Sequence, residues 1–530
     1  MARQWLRKSE LNEKLWKGDK GESLLDSSVA GVRTALSAES LAKILLLVVV
    51  NSVFLLAALH LLNSKREFDN RGDRSNCVTN YRLNNVHPMS LSLDQNRLIQ
   101  SSEFAPKNES NQENIRQFDT FGVAVHLFIK MSAYRGGSNS FAIIGLEAKN
   151  PGELYNDPPY ECVWIPGPDS LVWAPLKGSA IKMLPDTGNV YSRLYSAVII
   201  NCTFSQDVGV DRKGGQLVLY ASYGDQYPRN PERIVALTEQ PDEFPGVEFY
   251  ESSDMKYDYV YCGSPLFGNL SPQKIREWIA YHAHFFGPRS HFFLYDAGGV
   301  HDNVRRMIEP WIKAGRVTLD NIREQEKFDG YYHNQFMVVN DCFHRARHLA
   351  RWIFFFDVDE FIWAPPNDNS LPAILARYEN QSQIIIWQKP MSKSLCAQEQ
   401  GEAGNDSSFS RLRSKWTFEK LVFKSIKWRE SHDCKYAIQG QKAMGTGIHR
   451  SGHLIGGNAT TYADPLNYYH YHNTINKRDE VCEDFIDKSV VYVNPRNRTD
   501  IYTHDDGLAV LADHIKEFER DVIGPQSFIL

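Results

Sequence analysis

The stretch that most constrains the fold runs from Trp352 to Trp363 and reads WIFFFDVDEFIW. Large apolar residues from Trp352 to Phe356 stop abruptly at Asp357, and apolar character resumes at Phe361. A short, unbroken apolar run rich in aromatics suits a strand buried on both faces, as in a parallel sheet. In open α/β sheets, ligands sit beyond the carboxyl ends of such strands. Asp357 and Asp359 fall at that end. Two carboxylates one residue apart suit a hard divalent cation that also binds substrate phosphates. The competing reading is a solvated acidic turn that closes a core strand.

The flanking sequence alternates strands and helices from Asp258 onward. Tyr259–Cys262 reads as a strand, followed by Gly263 and Ser264. Ser271 and Pro272 mark a helix start, and Ile275, Trp278, Ile279 and His282 then recur at helical spacing. His291–Tyr295 is a second apolar run, ending at Asp296. A helix carrying Val304, Ile308 and Trp311 follows, with a break expected at Pro310. Val317–Leu319 is strand-like, and Tyr331–Ala350 reads as one long helix. Ile384–Trp387 and Leu421–Lys424 are expected to extend the sheet. Leu508, Leu511, Ile515 and Phe518 mark a C-terminal helix. The pattern predicts a mostly parallel α/β sheet over residues 251–530.

Residues 116–250 differ. Short β-like runs (Phe121–Met131, Phe141–Ala148, Leu171–Ala174, Leu194–Cys202, Gln216–Tyr223) alternate with Pro- and Gly-rich turns, which predicts an antiparallel β-sandwich. Trp164, Trp173, Tyr191, Tyr195 and Tyr223 would either stack on sugar faces or fill the core. Further upstream, residues 42–62 (AKILLLVVVNSVFLLAALHLL) are long enough to cross a hydrocarbon layer of ~30 Å. We read a transmembrane signal anchor behind a cytosolic tail, residues 1–41, and ahead of a polar stem, residues 63–115. Charge does not settle the orientation: Arg33 and Lys43 precede the segment, but Lys65, Arg66, Arg71 and Arg74 follow it, which runs against this topology under the positive-inside rule. All 8 cysteines follow the apolar segment, and none forms a C-x-x-C pair. That argues against structural zinc and for disulfides in an oxidising lumen, with Cys162–Cys202 as one candidate. Sequons include those at Asn108, Asn201, Asn380, Asn405, Asn458 and Asn497. These features favour a type II membrane protein. A net charge of -5 and a pI near 6.4 exclude a nucleic-acid partner held by counterion release.

Three segments in order, WIAYHAHFFG, HFFLYDAGG and YYHNQFMVVNDCFHRARHLARWIFFFDVDEFIW, resemble glycosyltransferase family 92 over about residues 256–490. The D-x-D at Asp357 and Asp359 is likewise the signature of sugar-nucleotide-dependent transferases. The resemblance implies a GT-A fold in the α/β domain. The upstream half resembles one plant branch of the family, the galactan synthases. It implies a carbohydrate-binding-module-like β-sandwich and an N-terminal transmembrane helix in the Golgi membrane. It also implies transfer from UDP-galactose onto a β-1,4-galactan acceptor, a pectin rhamnogalacturonan I side chain. A homodimer is expected, as among Golgi transferases generally.

This chemistry makes four demands on the chain. The leaving pyrophosphate must be neutralised by a divalent metal, expected to be Mn²⁺. Its ligands are Asp357, Asp359 and a late histidine, His470, with His472 as runner-up. The nucleotide must be held. Cys262, Gly263, Ser264 and Asp296 lie at strand ends for this, with Asn334 and Gln335 on the helix before the D-x-D strand. Family members commonly read Asp-Asn where this chain has Asp296-Ala297. A β-product from an α-linked donor requires a carboxylate base. Glu430 is the first choice and Asp433 the second, with Asp464 and Glu360 remaining open. A polymer acceptor needs aromatic platforms, for which Trp363, Trp387, Trp416 and Trp428 are candidates. Lys442, His449, Arg450 and His453 offer further contacts to diphosphate or acceptor.

Overall fold

The computed structural model describes residues 114–122, 125–148, 158–172, 174–185, 193–223, 230–365, 370–398, 414–426, 434–456 and 460–525. In it, strand Ala350–Phe355 stands at the centre of a nine-stranded sheet. Its side chains alternate between two cores. Trp352 and Phe354 enter one, and Ile353 and Phe355 the other. Burial on both faces is why the run is apolar without interruption.

On one side the sheet is wholly parallel: Tyr257–Cys262, Ser290–Asp296, Val317–Asn321 and, at the edge, the two-residue strand Asn114–Ile115. Helices Pro272–Phe285 and Asp302–Lys313 make the crossovers. On the other side Cys434–Ile438 runs antiparallel to the centre, followed by Gln383–Pro390, Thr460–His470 and, at the far edge, Glu360–Trp363. The expected parallel sheet is therefore one half of a mixed sheet, because the chain beyond Asp357 doubles back as short strands instead of crossing over through helices.

Three sequence expectations change. The segment Leu421–Lys424 does not extend the main sheet; Phe423–Ser425 pairs with Ile501–His504 in a separate three-stranded sheet. The long helix is shortened to Gln335–Ala346. Tyr332, His333 and Asn334 sit at φ of 45, 55 and 58°, a left-handed turn no α-helix can include, and Ala350 already begins the central strand. Pro310 lies inside helix Asp302–Lys313, which runs on past it.

Residues Asp119 to Glu239 form an eight-stranded antiparallel sheet folded around its own core of Phe128, Phe141, Trp164, Ile200, Leu217 and Ile234. The Cys162–Cys202 disulfide joins strands Tyr160–Pro166 and Tyr195–Thr203. The described part of Leu171–Ala174 is not a strand. Trp164 and Tyr223 belong to the core and Tyr195 to the contact with the α/β domain, so these three do not face sugars. Trp173 and Tyr191 lie outside the described residues. The outer face of the sheet, with Ile129, Ile144, Leu146 and Ile199, packs on Val338, Val339 and Phe343 of helix Gln335–Ala346. The fully buried Asp341 of that helix accepts hydrogen bonds from Arg116, from the Tyr134 hydroxyl at 2.8 Å and from the Tyr295 hydroxyl at 2.7 Å. A buried carboxylate is tolerable there because a guanidinium and two phenols satisfy it.

The tail, the apolar segment 42–62 and nearly all of the stem fall outside the described residues. Among the described residues no helix is long and apolar enough to cross a membrane. Disulfides also join Cys262 to Cys342 and Cys396 to Cys482, and no described cysteine is free.

Candidate active site

The central strand ends at Phe355, and the turn Asp357–Asp359 leads directly into the edge strand Glu360–Trp363. That strand pairs antiparallel with Thr460–His470, and Glu360 stands opposite His470. The pairing is what brings a late histidine to the acidic turn. The His470 Nε2 lies 3.7 Å from Asp359 Oδ1 and 3.3 Å from His472 Nδ1. Ligand atoms of Asp359, His470 and His472 all lie within 4.8 Å of one another. Gln388 fixes the His470 ring from behind, with its amide 2.5 Å from Nδ1. Burial disfavours the His470 imidazolium, but the Asp359 and Glu360 carboxylates outweigh it and push its pKa up. One carboxylate and two imidazoles that converge in this way could hold a divalent metal ion. A second group that orients the ligating ring is a common feature of metal sites.

Asp357 stands beside this group with both oxygens engaged. One accepts from the Ser264 hydroxyl, and the other from Lys435 Nζ at 2.7 Å. Burial would raise its pKa, yet the Lys435 ammonium and the Ser264 hydroxyl hold it down at about 2. Lys435 is itself buried and also lies 3.4 Å from Glu360 Oε2, which accepts the Asp357 backbone N–H at 2.7 Å. Burial pushes the Glu360 carboxyl up to about 7, although Lys435 opposes it. Gln335 donates to Ser264, which extends the network to the helix. Gly263 is needed at this point, because a Cβ there would run into the Tyr261 hydroxyl and the Phe356 carbonyl. Its absence lets Ser264 reach Asp357.

Residues 257–506 match the family model of glycosyltransferase family 92. The chain is 43% identical over 411 residues to the galactan beta-1,4-galactosyltransferase GALS1 of Arabidopsis thaliana, covering 78% of this chain and 79% of that one. It is 46% identical over 417 residues to GALS2 of the same plant, covering 77% and 76%. For GALS3 the identity is 42% over 450 residues, covering 82% and 85%. The chain belongs to glycosyltransferase family 92.

Of the family 92 site residues expected from sequence, the structure brings Ser264, Gln335, Asp357, Asp359 and His470 together. It removes the Cys262 side chain, whose sulfur is spent in the disulfide to Cys342 within the core. Asn334 is also turned away: its amide donates to the Gln325 carbonyl at 3.2 Å and the Phe328 carbonyl at 3.1 Å, which ties down the 323–328 turn. Asp296 is buried, and its carboxylate caps its own turn through Gly298 and Val300 while Arg323 Nε donates to it at 2.9 Å. Beside it opens a polar cleft of ≈ 560 Å³ lined by Gly298, His301, Asn303, Arg323, Glu326 and Arg478. Glu430, Asp433 and Trp428 lie outside the described residues. Asp464 is exposed, and its carbonyl accepts from the Tyr378 hydroxyl. Trp416 is core, whereas Trp363 and Trp387 are half-buried, Trp387 stacked on Tyr462 at 4.5 Å. Among the basic side chains, Lys442 and His453 bond to carbonyls of Glu379 and Leu184, while His449 contributes to the field on Asp357.

Sequence reasoning missed Lys435 and Gln388. Lys435 is a lone cation between Cys434 and the apolar run Tyr436–Ile438, a signal that marks a buried charge awaiting partners.

Proposed function

We propose that this chain is an inverting GT-A-type transferase that moves galactose from UDP-galactose onto β-1,4-galactan in the Golgi lumen. One observation carries the reading: a carboxylate and two imidazoles converge beyond the carboxyl end of the central strand, in a chain 42–46% identical to three galactan beta-1,4-galactosyltransferases. Asp359, His470 and His472 would hold Mn²⁺. A divalent ion there neutralises the charge that builds on the departing pyrophosphate. Lys435 and Ser264 keep Asp357 ionised and fixed beside it. The cleft next to Asp296 suits the nucleoside, with polar groups from His301, Asn303, Arg323 and Arg478. The base is one of the carboxylates Glu430 and Asp433. Asp433 directly precedes the strand that carries Lys435. The preceding β-domain is carbohydrate-binding-module-like, and the segment 42–62 anchors the protein as a type II membrane protein.

Full-length protein in detergent, incubated with UDP-galactose, Mn²⁺ and a labelled β-1,4-galacto-oligosaccharide, should yield a ladder of longer products. The ladder should vanish with EDTA and in Asp359→Ala. UDP release without a ladder would retain the donor and reject the acceptor. No turnover with any UDP-sugar would reject the reading.

A further inference from the structure

Strand Glu360–Trp363 is an edge strand of the central sheet, paired on one side only. Its outer row of backbone groups has no strand to bond to, and unpaired buried backbone groups are costly. The structure resolves each of them. The Glu360 N–H donates to the Asp357 carbonyl at 3.2 Å. The Glu360 carbonyl accepts from Trp278 Nε1 at 2.9 Å, and the Ile362 carbonyl from the Tyr281 hydroxyl at 2.8 Å. The Ile362 N–H donates to His282 Nε2 at 3.2 Å. The same ring has Nδ1 2.9 Å from the Trp278 carbonyl, so Nδ1 carries the proton and Nε2 is free to accept. Trp278, Tyr281 and His282 are spaced i, i+3, i+4 and so share one face of helix Pro272–Phe285. All three are buried.

We propose that Trp278, Tyr281 and His282 act as a side-chain substitute for the missing neighbouring strand and are positioning residues for sugar transfer. They fix the edge strand whose first residue, Glu360, takes the Asp357 N–H and faces His470. The proposal rests on the assignment of transfer to the Asp357–Glu360 turn. Three hydrogen bonds set the height and rotation of that turn against the first βα unit, which also carries Ser264. A hydrophobic helix face would hold the strand against the core but would not fix its register. The two rings and the phenol specify it atom by atom.

The test compares Tyr281→Phe with Tyr134→Phe in the full-length protein. Each loses one buried phenol hydrogen bond, but Tyr134 serves Asp341 at the β-domain contact. Hydrogen exchange of the peptide spanning residues 357–365 should quicken about tenfold in Tyr281→Phe and stay at the wild-type rate in Tyr134→Phe. The KM for UDP-galactose should rise or kcat fall about tenfold in Tyr281→Phe alone, with similar melting temperatures in the two variants. His282→Gln, which keeps an acceptor, should recover most of the activity that His282→Ala loses. Unchanged exchange over 357–365 in Tyr281→Phe would overturn the substitute strand. Faster exchange with unaltered kinetics would overturn the positioning role. Asp359→Ala in the same assay separates this from the site assignment: full activity there fails the assignment, whereas an inactive Asp359→Ala beside an unaltered Tyr281→Phe fails the positioning role alone.

Discussion

Lys435 is the residue on which the acidic turn depends. It faces Asp357 and Glu360 in a buried setting, so its removal strands one or two carboxylates without a counter-charge. Lys435→Met should therefore cost about 3–5 kcal/mol, read as a lowered urea midpoint. Gln388 acts more gently. Gln388→Leu frees the His470 ring, and Mn²⁺ affinity should fall about tenfold, with activity restored by added metal. At this scale the sequence was informative where chemistry and strand ends coincide. Asp357, Asp359 and His470 could be read because acids at the end of an apolar strand and a histidine in a tyrosine-rich run are unusual. Lys435 could be suspected as a buried charge, but its role could not be read, because its partners exist only once Cys434–Ile438 pairs with Ala350–Phe355. Cys262 and Asn334 misled for a related reason. Each stands at a strand or helix end, but its side chain is consumed by a partner 80 or 9 residues away.

Helix Gln335–Ala346 serves two bodies at once. Its start gives Gln335 to the site, and its flank carries the outer face of the β-domain. A fragment beginning near residue 250 would expose Val338, Val339 and Phe343 and leave Asp341 without Tyr134 and Arg116. Such a fragment should be recovered only as aggregate, which expression and size-exclusion chromatography would check. Elements were legible from the sequence where periodicity was clean, as for four of the five parallel strands and the crossover helices; the fifth, Asn114–Ile115, falls in what reads as stem. They were misjudged where local backbone conformation decided, as at the left-handed turn Tyr332–Asn334, and where a short apolar run gave no hint of its sheet, as at Phe423–Ser425.

Across the whole molecule, buried imidazoles set the response to acid. Burial lowers His282 and His348 to about 3 and His291 to about 4, and it holds His344 well below its usual range. Unfolded histidines charge near ~6.5, so the stability these four contribute is complete above that pH and is lost as pH falls toward about 4. Burial raises the carboxyls of Glu277 and Glu360 from 4.5 to about 7, and these act in the opposite sense: their contribution is full below about 4.5 and is gone once pH has risen through 7. The imidazoles outnumber the carboxyls, so the melting temperature should fall steeply below ~6.5 and level off above about 7. Thermal scans across pH 4.5–8 would reveal that asymmetry.

Among the described residues, neither margin of the central sheet offers a long open strand. One side ends in a strand only two residues long, Asn114–Ile115, and the other is closed by the rings of Trp278 and His282 and the phenol of Tyr281. Another polypeptide therefore cannot continue the β-ladder at the Glu360–Trp363 margin. A partner that meets this margin must then bind through side chains alone.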